Sequence, residues 1–132
     1  MESENDGVRG REIYTLGHGL ALQIHEMTMH LPNFELFEEG SQIRRSSKSV
    51  ASLLVEGFRQ RKYRDSFLHY LYRALGSADE TQEHLDLLFE TRSLKDPLLH
   101  GTLSEMYDKL QAKLTTFIKG VESNHTKPFG MS

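Results

Sequence analysis

The feature that most constrains the fold is the spacing of apolar residues, which recurs every three or four positions in separate stretches of the chain. One stretch spans residues 13–31 and another spans residues 99–121. This period is typical of helices that bury one face in a bundle. No run of alternating β-branched residues suggests a strand. The spacing therefore predicts an all-α protein.

Residues that start or stop helices divide the chain into four predicted helices. Pro32 and Asn33 end the first, and Asn33 is placed to cap a second over residues 35–57. A third is predicted over residues 65–91, and Asp96 and Pro97 supply a cap and a first residue for the fourth. Short connections favour an antiparallel up-and-down four-helix bundle over residues 11–122. A disordered tail is expected at residues 1–10 and a frayed tail at 123–132.

Composition excludes several classes of protein. The absence of cysteine rules out disulfides, thiolate metal ligands and a cysteine nucleophile. The first ten residues are polar and acidic, unlike a signal peptide. No apolar run approaches the roughly 18 residues that a membrane-spanning helix needs. We therefore expect a cytoplasmic protein with no membrane partner.

Motifs for catalysis are incomplete. A di-iron bundle needs two Glu-x-x-His pairs, and only Glu122 and His125 form one. His25 and Glu26 begin a zinc-peptidase pattern, but the next histidine is His30, and at about 100° per residue the two rings diverge by roughly 140°. No Gly-rich phosphate loop is present. We predict no catalytic residue, no metal, no cofactor and no small-molecule substrate, and hence no enzyme.

Charge is distributed unevenly. Residues 41–75 hold eight basic and two acidic residues, a net +6, whereas the rest holds eight basic and seventeen acidic residues, a net −9. Such asymmetry indicates either an anionic partner or two oppositely charged faces that meet in an oligomer.

The basic residues of this region are predicted to point away from the core. With Ile43 as the core direction and about 100° per residue, four cations of the second helix fall on its outward face, and three more follow in the next turn. The candidate nucleic-acid-binding residues are Arg44, Arg45, Lys48, Arg59, Arg61, Lys62 and Arg64.

Apolar residues also leave the core direction. On the same helical projection, an isolated bundle would expose them, whereas a second subunit would bury them. Gly76 lowers helix propensity by about 1 kcal/mol relative to alanine, which indicates either a close approach of another backbone or a tolerated defect. The predicted oligomer interface is Phe37, Ala51, Val55, Phe58, Tyr72 and Gly76.

Two stretches carry a family resemblance. Residues 42–50 (QIRRSSKSV) with 55–59 (VEGFR), and then residues 67–80 (FLHYLYRALGSADE), resemble the four-helix-bundle proteins encoded in intervening sequences of bacterial 23S ribosomal RNA genes. Tyr14 stands where that family usually has tryptophan. Ala51 and Leu53 replace the proline and asparagine of the family's usual Ser-Ile-Pro-x-Asn-Ile-Ala-Glu-Gly pattern.

The resemblance implies a homo-oligomer, a pentamer, of up-and-down bundles without catalytic residues. Nucleic-acid binding is the usual suggestion for this family, and a related bundle assists the reverse transcriptase of diversity-generating retroelements. Two hypotheses follow for this chain. One is an oligomeric module that binds structured RNA or another nucleic acid. The other is an oligomeric scaffold that touches no nucleic acid and uses its arginines within the ring or between helices.

Overall fold

The structure, a computed structural model, describes residues 4–124 and is helical throughout its regular elements. The helices are α1 (Glu4–Thr28), α2 (Glu39–Arg59), α3 (Arg64–Glu90) and α4 (Pro97–Asn124), and a 3₁₀ turn, Asn33–Phe37, lies between α1 and α2. No strand occurs in the described stretch. The predicted all-α fold of four helices is confirmed.

Neighbouring helices run antiparallel. Ser46 and Ser49 of α2 contact Thr81 and Ser77 of α3, at 2.8 and 2.7 Å, so residue numbers rise along one helix as they fall along the other. The contacts of α1 with α2 and of α3 with α4 follow the same order. Because α1 also packs against α4, the four helices close into a bundle in which α2 and α4 are diagonal.

The core consists of the apolar residues that the periodic spacing predicts. Ile24, Ile43, Leu54, Leu71 and Leu110 are all buried and belong to one continuous cluster. Partly buried residues such as Leu16 and Met106 pack against its edge. The stripe of each helix therefore faces the same interior, as expected for a bundle whose stability comes from apolar burial.

Small hydroxyl side chains fill the contact between α2 and α3. Ser46 and Thr81 are buried and bonded to each other, and Thr81 also bonds to the carbonyl of Ser77 at 2.7 Å. Short side chains allow the two helices to approach closely, and the mutual bonds satisfy their polar atoms. The apolar periodicity did not predict this polar seam.

The start of α2 differs from the sequence prediction. Asn33 does not cap a helix beginning near residue 35; it opens the 3₁₀ turn, and α2 begins at Glu39. The reason is Glu35, whose buried side chain accepts a hydrogen bond from the Glu39 amide at 3.1 Å. It thus satisfies one of the free amides at the start of α2.

The predicted tails are shorter in the structure. The expected N-terminal tail at residues 1–10 is helical from Glu4 onward. Gly10 explains the extension, since it is buried and a Cβ there would lie 3.1 Å from the Phe58 ring, so the bare backbone packs onto α2. At the other end α4 continues to Asn124. Residues 1–3 and 125–132 of the predicted tails lie outside the described residues.

The start of α4 agrees with the sequence prediction. Pro97 is its first residue, and the Asp96 carboxylate accepts hydrogen bonds from the amides of Leu98 and Leu99 at 3.0 and 3.2 Å. This is the expected use of an aspartate cap followed by a proline in the first turn.

Tyr107 places a polar atom in the apolar core. It is 1% exposed, and its hydroxyl has no hydrogen-bond partner among the described residues. Burial of an unpaired hydroxyl is unfavourable, so we expect Tyr107→Phe to raise the free energy of unfolding by about 1 kcal/mol. Urea unfolding at neutral pH and fixed protein concentration measures this.

A pH dependence gives the same prediction a second readout. Burial raises the pKa of Tyr107 above its ordinary value. The unfolded chain therefore releases this proton first as pH rises past about 10, and stability falls from there. The free energy of unfolding of Tyr107→Phe is therefore expected to fall less than that of the wild type as pH rises past about 10. Tyr72→Phe is the control, because it deletes a hydroxyl that donates to Glu122 at 2.8 Å and is expected to bring no gain. A destabilised Tyr107→Phe protein would contradict the prediction.

Candidate nucleic-acid interface

The outward edge of α2 carries exposed cations, as the helical projection predicts. Arg45, Lys48 and Arg59 are exposed, and Lys62 is exposed in the turn that follows. We call these four residues the basic ridge. From residue 45 to residue 59 the ridge extends about 21 Å, at 1.5 Å per residue.

Most of the basic ridge is not neutralised by its own chain. Within residues 4–124 no hydrogen bond or ion pair engages Arg45, Lys48 or Lys62. Arg59 lies 3.5 Å from Glu56, and both side chains are exposed. Exposed pairs of this kind contribute little, roughly 0–1 kcal/mol, so Arg59 can exchange its partner for another anion.

The other three predicted cations are held by the fold. Arg44 was expected on the outward face but is half-buried, and its Nη2 donates to the Leu36 carbonyl at 2.8 Å. Its long side chain reaches back to the 3₁₀ turn, which the helical projection did not include. Arg64 is half-buried and pairs with Asp65 at 3.1 Å. Arg61 is exposed, and its Nη1 donates to the Phe58 carbonyl at the end of α2.

A groove between α1 and α2 runs beside the basic ridge. It consists of two cavities of about 560 and 540 Å³, both lined by Tyr14 and Val55. Ala51 and Phe58 extend this apolar floor, and the cationic rim includes Arg11, Lys48 and Arg59. We call this the α1–α2 groove. Sequence reasoning missed it, although Gly10 and Gly17, one heptad apart on α1, signal a close helix approach.

Three of the predicted interface residues line this groove. The expectation that an isolated bundle exposes Ala51 and Phe58 is wrong, because Ala51 is buried and the Phe58 ring packs 5.9 Å from Phe67 and 6.0 Å from Phe117. On the helical projection Ala51 and Phe58 point about 60–80° away from the core direction, and in the bundle that side of α2 faces α1. Val55 remains half-exposed on the floor of the groove.

The remaining predicted interface residues lie elsewhere. Phe37 is 89% exposed in the 3₁₀ turn at one end of the bundle. Tyr72 and Gly76 are exposed on α3. A Cβ on Gly76 would meet nothing within 4 Å, so no other helix in the described part of the chain approaches it closely. The six residues therefore do not form one continuous surface.

An acidic residue of α3, Glu80, lies on the side of α2 that packs against α3 rather than α1. His84 is held between Glu39 and Glu80, at 2.5 and 3.4 Å, on the seam between α2 and α3. Glu80 is therefore engaged with a histidine of its own helix. Carboxylates along this seam repel a polyanion, which favours the α1 side of the ridge for an anionic partner.

Two negative findings apply to residues 4–124. No helix there is long and apolar enough to cross a membrane. No group of three or more histidine, aspartate or glutamate residues in that range is arranged to hold a metal ion. The absence of catalysis and of a cofactor stays a prediction.

Comparison with known proteins identifies related chains. The model of the family described as 23S rRNA-intervening sequence protein matches residues 9–116. The crystal structure of a protein with unknown function from the S23 ribosomal protein family of Bacteroides thetaiotaomicron VPI-5482 superposes with a TM-score of 0.76. It is 24% identical, and the match covers 84% of this chain and 98% of that chain. No curated protein matches the chain. At this identity the structural likeness shows a common fold.

Proposed function

Since the chain belongs to the 23S rRNA-intervening sequence protein family, we propose that it is a non-enzymatic homo-oligomer of the cytoplasm that binds structured RNA as an accessory protein. The basic ridge holds the RNA backbone. The observation that carries this proposal is the set of exposed cations along one edge of α2 and in the turn after it, which have no partner among residues 4–124, namely Arg45, Lys48 and Lys62.

The chemistry of the ridge suits phosphates better than bases. Flexible lysines and forked arginines bind an anionic backbone, and such contacts position a protein without reading sequence. No aromatic residue lies among the cations of the ridge before Phe58, which packs against Phe67, and the exposed Tyr63 stands beside Lys62 at the far end, so base stacking is expected to contribute little. Structured RNA is recognised largely through its shape and backbone, which agrees with this arrangement.

A scaffold without RNA is the second candidate function. The observation that favours it is the internal use of arginine: Arg44 bonds to the 3₁₀ turn, Arg61 to the end of α2, and Arg64 to Asp65. In that case the positive region serves the fold and the contacts between subunits, and the oligomer binds other proteins.

RNA binding across a salt series distinguishes the two functions. Arg45→Ala combined with Lys62→Ala removes two exposed cations that do not line the α1–α2 groove and bond to nothing in the described residues. We expect weaker binding to ribosomal RNA fragments of any sequence. The plot of log affinity against log salt is expected to flatten by roughly 1.4–1.8 units, at 0.7–0.9 per lost phosphate contact.

The matched control removes two charges from the opposite side. Lys109→Ala with Lys119→Ala changes exposed residues of α4, the helix diagonal to α2. We expect this pair to leave the salt slope unchanged. An equal effect of both pairs would assign binding to net charge rather than to the ridge. If the wild type binds no RNA at low salt, where screening is weakest, the scaffold function is favoured over RNA binding.

A further inference from the structure

The 3₁₀ turn displays apolar side chains to solvent although it is firmly held. Phe34, Leu36 and Phe37 are all exposed, and Phe37 is exposed at 89%. Two hydrogen bonds hold the turn in place. The Arg44 guanidinium donates to the Leu36 carbonyl, and the Glu35 carboxyl accepts from the Ser93 hydroxyl. A fixed turn with three exposed apolar side chains is typical of a surface that another molecule covers.

The charges beside the turn and beside the α1–α2 groove have opposite signs. Glu38 is exposed and directly follows Phe37. The groove has an apolar floor that includes Tyr14 and Val55, and a rim that includes Arg11 and Lys48. An apolar projection with an acidic flank thus matches an apolar groove with a basic rim.

We propose that the 3₁₀ turn of one copy inserts into the α1–α2 groove of the next copy, with Phe37 on the groove floor and Glu38 among the rim cations. This inference rests on the homo-oligomer proposed above and names its contact surfaces. Each copy offers one turn and one groove, so the contact is heterologous, and it generates a ring when the rotation between copies closes.

Charge also disfavours the symmetric alternatives. Two turns facing each other would bring Glu38 close to its own counterpart. Two grooves facing each other would oppose their basic rims. Like charges in close contact are unfavourable, whereas the turn and the groove attract. Arg45 and Lys62 do not line the groove, so a seated turn leaves both free for RNA.

Mixing two defective variants tests this pairing. We expect Phe37→Asp and Val55→Asp each to reduce the mass in light scattering to one chain of 15.2 kDa, because each places an unpaired charge in a buried contact. Mixed in equal amounts, the Phe37→Asp chain supplies an intact groove and the Val55→Asp chain an intact turn. The mixture is therefore expected to form a complex of two chains.

Controls separate the possible failures. Leu98→Asp changes an 81% exposed apolar residue outside both surfaces and is expected to keep the wild-type mass. Leu22→Asp, at a 61% exposed position in the groove, repeats the Val55 test where folding is not at risk. A monomeric wild type refutes the proposed oligomer. A wild-type oligomer that survives both single variants, or a mixture that stays monomeric, refutes the turn-in-groove contact alone.

Discussion

Gly40→Ala is expected to lower the free energy of unfolding by about 3 kcal/mol, at the upper end of what overpacking costs. Gly40 is buried in the first turn of α2. A Cβ there would overlap the carbonyl oxygen of Glu35 and lie 3.1 Å from its carbon. That carbonyl belongs to the backbone and accepts a bond from the Glu38 amide at 3.3 Å. The clash therefore has to displace the 3₁₀ turn or the start of α2.

Gly101→Ala is the matched control for this substitution. Gly101 is exposed within α4, and a Cβ there would meet nothing within 4 Å. Because alanine favours a helix over glycine by up to about 1 kcal/mol, we expect a gain of that size. Urea unfolding followed by circular dichroism at one protein concentration compares the two. Equal effects would mean that the 3₁₀ turn and α2 are not packed as tightly as described.

The sequence predicts the helices well because apolar spacing is a local property. The apolar stripes of α1 and α4 can each be recognised from the residues of that helix alone. The cap at Asp96 likewise acts on amides only two and three positions away. The 3₁₀ turn was missed for the opposite reason. Glu35 is buried because Ser93, 58 positions further along the chain, is its partner. No local pattern indicates that an acidic residue is buried there.

The candidate site divides in the same way. The outward directions of Arg45 and Lys48 follow from helix geometry alone, and the structure agrees. The position of the Arg44 side chain does not follow from helix geometry, because the side chain turns back to a carbonyl of the 3₁₀ turn, which the sequence did not predict. Predicting the α1–α2 groove requires knowing which face of α1 packs against α2. Gly10 and Gly17 carry that information, but only once the two helices are known to be neighbours.

Glu35→Ala is the second substitution for which we expect a large effect. Glu35 is 3% exposed, and its carboxyl oxygens accept hydrogen bonds from the Glu39 amide and the Ser93 hydroxyl. Both donors lose their partner when the side chain is removed. Bonds to a carboxyl group and the cost of leaving donors unpaired together give an expected loss of about 3 kcal/mol.

A double-mutant cycle with Ser93→Ala separates this bond from general packing. If the two side chains stabilise each other, the double variant loses less than the sum of the single variants, by about 1 kcal/mol. Additive losses would show that the bond contributes nothing of its own. Glu38→Ala changes the exposed neighbouring acid and is expected to stay within about 0.5 kcal/mol of the wild type.

The same substitution connects stability with assembly. The bond between Glu35 and Ser93 joins the connection of α1 and α2 to the connection of α3 and α4, and so fixes the turn that presents Phe37. Glu35→Ala is therefore expected to lower the oligomer mass in light scattering as well as stability. Gly101→Ala, which changes neither the turn nor the groove, is expected to retain the full mass. If Glu35→Ala keeps the wild-type mass at a protein concentration where the chain stays folded, the position of the 3₁₀ turn does not affect oligomer formation.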